Sequence, residues 1–263
     1  QSSNFGRNYT QLSVPTTLGY SHSVPLTLTA TELRDLLQEK RLGEAAMQRL
    51  ASDINVDCSN LAALTGTIVS KRTSAATGFD DVAALDTAMN RVGIQTFGRK
   101  ACYYSGDYNN MAANLASRVL DNSKSLSAYE RALVGTVSGF ETYKLDYAYR
   151  LPAAAGTGIT LNAANQYYVP KATSTAATGE ISNVDNRYQT ITVNSTTNVV
   201  AGDCFTINLV NEVHHITKAD TGSLKTFRVI SVPSSTTLVI SPPIISGGGG
   251  TDPELQYQNV STT

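Results

Sequence analysis

Charge is scarce in this 263-residue chain: Asp, Glu, Lys and Arg make up 16% of it, against about 25% in a typical soluble domain. Its 20 basic and 21 acidic residues leave a formal charge of −1, which excludes nucleic-acid binding driven by bulk positive charge. Tryptophan is absent, which removes the largest flat stacking surface for a sugar ring. The three cysteines, Cys58, Cys102 and Cys204, are far apart, odd in number and match no zinc or redox spacing. They read as buried free thiols of a reducing compartment. No run approaches the 18 or so apolar residues of a membrane-spanning helix, and no charged-then-apolar leader opens the chain. There is no initiator Met, and nothing closes the fold at Thr263, so the expectation is an internal portion of something longer.

What remains is an ordinary globular composition. Hydrophobic residues at 41% with 19 glycines give an apolar-plus-glycine share of roughly 48%, enough for one large or two modest domains. A surface made mainly of Ser, Thr, Asn and Gly suits a protein covered by partners, a trait shared with secreted β-proteins.

The chain changes character along its length. Between 12 and 28 the even positions run Leu12, Val14, Thr16, Leu18, Tyr20, His22, Val24, Leu26, Leu28, and the odd ones are nearly all polar or proline. That is strand periodicity. Pro15 and Pro25 sit on the polar parity, and proline is confined to sheet edges, so the segment is an extended arm or an ordinary edge strand. Thr29 and Glu32 then form a capping box with Leu28 and Leu33 as staple. The apolar series Leu33, Leu36, Leu37, Met47, Leu50, Ile54, Cys58, Leu61, Leu64 steps by three and four as far as Gly66. The expectation is one helix on the order of 50 Å long, or two helices broken near Gly43. Residues 77–80 open a further helix with Val82, Leu85, Met89 and Val92 inward, ending at Gly93. Residues 100–104 read as a strand, Ser105 as the cap of a helix burying Met111, Leu115 and Val119, and Ser127 with Glu130 as a capping box whose helix ends at Gly135.

Beyond Pro152 the helical periodicity stops. After the small residues of 153–158 come short β-rich runs at 189–193, 204–209, 226–232 and 237–241, separated by turn clusters at 194–198, 201–203 and 233–235. Alternation makes Ile191, Val193, Phe205, Ile207, Phe227, Val229, Leu238 and Ile240 the expected core of a small barrel or sandwich. Residues 171–185 hold no run of large apolar groups and should project as a loop or serve as a bare connection. Gly247 to Gly250 reads as a linker.

No catalytic constellation emerges. His214 and His215 form the one histidine cluster, but neighbours on a strand face opposite ways, and no HExxH or carboxylate spacing surrounds them. No GxSxG, Walker or dinucleotide fingerprint occurs, and the four glycines from 247 lack the Lys and following helix of a phosphate cradle. Three Asn-X-Ser/Thr triplets, at Asn8, Asn194 and Asn259, are frequent by chance in a chain rich in Asn and Thr. No enzyme activity, metal or cofactor is expected. Two classes stay open: a structural shell subunit, and a carbohydrate-binding or adhesin-like β module on an α+β scaffold. The missing Trp counts against the second.

Several stretches are specific. They are Thr31-Glu32-Leu33-Arg34-Asp35, Gly139-Phe140-Glu141 on to Arg150-Leu151-Pro152, and above all Asn183-Val184-Asp185-Asn186-Arg187-Tyr188-Gln189-Thr190-Ile191-Thr192-Val193, followed by Ala201-Gly202-Asp203 and Thr226-Phe227-Arg228-Val229-Ile230. On these residues the chain resembles the major coat proteins of short-tailed bacteriophages over roughly 29–245. The resemblance implies an α+β fold, the tailed-phage and herpesvirus capsid fold with an inserted β-barrel. Its parts would be an extended arm at 1–28, a spine helix and peripheral domain at 29–152, the inserted barrel at 153–250, and the start of a truncated apical domain at 251–263. It implies a subunit of an icosahedral shell built from hexamers and pentamers and assembled in the bacterial cytoplasm. Scaffolding and portal proteins would be partners, and packaged DNA a non-specific one. The loop at 171–185 would meet a neighbouring capsomer, with Lys171, Glu180, Asp185 and Arg187 as contact residues.

Overall fold

A computed structural model describes residues 11–31, 34, 36–71, 78–117, 122–247 and 252–262. Residues 11–29 enter no strand, and Leu18 (101%) and Tyr20 (90%) are fully exposed. His22 ties this arm to the body, its Nε2 lying 2.8 Å from Asp57 Oδ2.

That body begins with α1 (Leu36–Thr65), a single helix of 30 residues and hence about 45 Å. It passes through Gly43 unbroken, because the flanking Lys, Arg, Leu, Glu and Ala are strong helix formers. Regular helix starts at Leu36 and not directly after Thr29; Glu32 and Leu33 of the expected capping box lie outside the described residues. At the other end the Gly66 N–H donates to Ala62 O at 3.1 Å. Leu37, Met47, Ile54 and Leu61 point outward and are exposed.

The helix α2 (Phe79–Val92) follows, with Gly78 as N-cap and its N–H donated to the Asp81 carboxylate at 3.2 Å. Asp80 and Asp81 in the first turn and Arg91 in the last match the helix dipole. Gly93 closes it in the left-handed conformation, φ 89°. The strand β1 (Lys100–Tyr104) runs without a loop into α3 (Ser105–Ala116). Ser105 is therefore the first helical residue and not the cap; Tyr104, extended at ψ 148°, takes the cap position with no side-chain bond. The helix α4 (Asn122–Arg131) also departs from expectation. Ser127 and Glu130 end this helix instead of starting one, since Ala128 is buried and the carbonyls of Ser127 and Ala128 accept the N–H groups of Leu133 and Ala132. Short β2 (Thr136–Val137) and β3 (Phe140–Leu145) complete a sheet of order β1-β3-β2, with β1 and β3 parallel. Val82, Tyr108, Met111, Ala112, Val134 and Phe140 form the core of this unit.

The second half is β-structure: β4 (Thr173–Thr175), β5 (Ile181–Asn183), β6 (Gln189–Thr192), β7 (Cys204–Val213), β8 (Asp220–Ser234) and β9 (Thr237–Ser241), then a short α5 (Asp252–Tyr257) and β10 (Val260–Thr262). Five strands form an antiparallel sheet of order β10-β7-β8-β9-β6. Its end strands do not pair with one another, so the sheet is a half-barrel. A core of Ile191, Val193, Phe227, Val229, Leu238, Ile240, Ile244 and Val260 fills its concave side, with Phe205 and Ile207 packed against it. All eight residues expected from alternation are there. Ile244 and Val260 join them: β10, within the stretch 251–263 expected to begin a further domain, pairs with β7, and Val260 is buried completely. Gly248 to Gly250 of the linker lie outside the described residues.

Two further expectations change. Cys58 and Cys102 are free but exposed, and Cys204 is half-buried. Cys102 sits on the solvent parity of β1, where Ala101 and Tyr103 take the inward places. His214 and His215 lie in the turn after β7 and not on a strand, so their rings stack, 5.8 Å apart and 16° from parallel.

Candidate functional site

The four expected contact residues flank or occupy the β4–β5 hairpin, which stands where a loop or bare connection was expected. Every residue of its two strands is exposed. Gly179, at φ 87°, allows the tight return, and Ala176 N–H bonds Glu180 O at 2.8 Å. Ser174 and Ser182 hydroxyls pair across the strands at 3.2 Å. Glu180 lies at the tip and Lys171 at the base, and neither forms an ion pair with a described residue.

Asp185 and Arg187 are brought together. The guanidinium donates from Nε to Oδ1 at 2.9 Å and from Nη2 to Oδ2 at 2.6 Å, while the Arg187 N–H also bonds Oδ1 at 3.1 Å. Those hydrogen bonds hold the Asp185 carboxyl below the usual carboxylate range and raise the guanidinium further. Arg187 also covers the Tyr188 ring at 5.1 Å. This pair thus spends its charge on shaping its own turn, leaving Lys171 and Glu180 as the outward charges of the hairpin.

Asn186 is the residue that composition and periodicity missed. Its Oδ1 accepts from the Lys171 N–H and the Tyr168 hydroxyl, both at 3.0 Å, and its Nδ2 donates to Lys171 O at 2.9 Å and Val184 O at 3.1 Å. One amide therefore clamps both legs of the hairpin. The available signal was Asp185-Asn186, a pair of residue types that bond their neighbouring backbone in turns.

The other feature is where the sheet meets the helices. Helix C-termini leave carbonyls unpaired, and two are completed from the β half. Arg228, only 3% exposed, donates to Gly66 O just past α1 at 2.8 Å and to Gly202 O at 2.6 Å; the Thr226 hydroxyl bonds Thr67 O at 2.6 Å. At α2, the His215 N–H bonds Val92 O at 2.9 Å and its ring Nδ1 lies 3.0 Å from the same carbonyl. Arg91 pairs with buried Glu212 beside it. Lys225 is buried nearby, and desolvation pulls its ammonium below the usual lysine range against the opposing pull of Glu212.

An arm without a strand partner among the described residues, a helix with outward leucine, isoleucine and methionine, and a clamped, exposed hairpin are the exposed features of the chain. The chain matches the P22 coat protein family, described as gene protein 5, over residues 1–263, and it belongs to that family. It is a structural subunit of a bacteriophage capsid, found in the virion and working as an oligomer. Of the two classes left open by composition, the family decides for the shell subunit. Among solved structures it is similar to the CUS-3 coat protein I-domain, with 35% identity over 41% of this chain and 88% of that one, at a TM-score of 0.28.

Proposed function

We propose that this chain builds an icosahedral shell in which the arm and α1 lie across neighbouring subunits, residues 29–152 form the peripheral domain, and residues 153–250 are an inserted β domain. The single observation that carries this reading is the arm: nearly twenty residues of alternating apolar pattern with no strand partner among the described residues and with Leu18 and Tyr20 fully exposed. An extended segment so patterned, with large apolar side chains left in solvent, suits burial against a neighbouring surface. The hairpin contacts the next capsomer through Lys171 and Glu180, with Asp185 and Arg187 fixing its angle. Scaffolding and portal proteins are partners, DNA is enclosed without sequence preference, and assembly takes place in the host cytoplasm.

Electron microscopy and sedimentation of the protein co-expressed with its scaffold test this. Closed shells are expected, and replacing Leu18 and Tyr20 by Asp should leave soluble, folded monomers. Shells formed normally by that double variant would remove the arm from the interface.

A further inference from the structure

The arm turns back on the helix that follows it. Asp57, the partner of His22, lies about 30 Å along α1 from its start at Leu36. The chain between His22 and Leu36 therefore runs back beside the helix, antiparallel to it. Val24 and Leu28 on this stretch are half-buried, whereas residues 13–23 are exposed. His22 thus marks the point where the arm leaves its own helix, and its side chain is what fastens that point.

The fastening depends on a proton. Lys40 with Glu44 and Arg49 with Asp53 close within α1, so neither pair draws on the arm. Histidine is the side chain whose charge changes near neutral pH. As imidazolium it offers Asp57 Oδ2 a charged N–H; as neutral imidazole it offers only a dipole. The groups facing it are Asp57 on α1 and, from the arm itself, the Tyr20 ring, stacked on the imidazole at 6.3 Å and 22°. Close by on the helix, both Asp53 oxygens accept Arg49 Nε at 3.1 Å, and Asn55 Nδ2 holds Asp146 Oδ1 at 3.1 Å. These carboxylates are occupied by their own donors, which leaves His22 to Asp57. The His22 and Asp57 side chains are 33% and 50% exposed, so the charge contributes a bias of up to about fivefold in the held population.

We propose that the His22–Asp57 contact is a proton-operated strap: with the imidazole protonated the arm is held back along its own α1, and loss of that proton frees the arm to swing out. The strap is a property of the free subunit and stands apart from the shell contacts proposed above.

Chymotrypsin cleavage after the exposed Tyr20 reads this in the whole chain, prepared without scaffold, because proteolysis follows the population of the opened form. Rates at that bond, followed by mass spectrometry, would be divided by those of a free peptide of residues 11–29, which cancels the pH dependence of the protease. The expected result is a normalised rate that rises about two- to fivefold from pH 6 to pH 8. Asp57→Asn and His22→Gln should be cleaved at the faster rate at both pH values, and His22→Lys, which keeps its charge, at the slower rate at both. Equal normalised rates at pH 6 and pH 8 in the original chain would overturn the proposal. So would the same rise in Asp57→Asn, since the proton would then act elsewhere.

Discussion

Three residues carry more than their size suggests. Phe227 is fully buried and stacks on Phe205 at 5.7 Å, so Phe227→Ala should cost about 3–5 kcal/mol, measured by urea unfolding of the soluble subunit. Gly93 is held at φ 89°, and a Cβ there would fall on the ring of His214. Gly93→Ala therefore combines left-handed strain with a clash and should cost at least about 1–3 kcal/mol, lowering Tm. Lys225 acts the other way. Burial disfavours its charged form, so its folded pKa lies below the unfolded one. The penalty is then present in full at pH values below the folded pKa and disappears as pH rises through it towards the unfolded value. Because Glu212 keeps its pair with Arg91, Lys225→Met should accordingly raise the stability at pH 7, with the gain shrinking in alkaline buffer; a gain that stayed constant to pH 10 would contradict the assignment. Only part of these roles shows in local sequence. Alternation announces that Phe227 faces inward, but the clash at Gly93 and the burial of Lys225 arise from residues more than a hundred positions away or from a neighbouring strand.

Elements were legible in proportion to their periodicity. Strands β1 and β9 stand at the expected residues, and α1 stops at Gly66 as its apolar series does. Gly43 lies inside α1, and a Cβ there would meet nothing within 4 Å. Gly43→Ala should thus stabilise the helix by about 0.5–1 kcal/mol, seen as a higher urea midpoint. Capping boxes misled where packing outweighed them: Ser127 and Glu130 have the right spacing, but burial of Ala128 sets where α4 ends. The β4–β5 hairpin was invisible as strands because its Ser and Thr residues bury nothing, and its shape depends on the Asn186 clamp. Of the four candidate contact residues, the exposed placement of Lys171 and Glu180 followed from composition, while the mutual pairing of Asp185 and Arg187 did not. Replacing Glu180 and Asp185 together by Ala should leave Tm nearly unchanged, since exposed pairs contribute only about 0–1 kcal/mol, yet reduce the yield of regular shells. Normal shells in normal amounts would make the hairpin a connection and nothing more.

At the scale of the whole molecule, two cores are joined through the ends of two helices. The β half has its own core, so a fragment of residues 153–262 should melt cooperatively and give dispersed amide signals. A fragment ending at 250 should be markedly less stable, because it lacks β10 and fully buried Val260; equal melting of the two would show that β10 adds nothing. The bond from Arg228 to Gly66 O spans 162 positions, which has a consequence for the order of events in folding. Contacts of such separation form late, because a long loop must close first. On the ribosome, α1 emerges well before the strand whose Arg228 bonds the Gly66 carbonyl just past its end, so that carbonyl stays hydrated until β8 is synthesised and paired with its neighbours. A subunit whose β half has misfolded would therefore present an unfinished spine to its neighbours, and a lesion in that sheet would register as failed shell assembly even where no residue of the sheet touches another subunit.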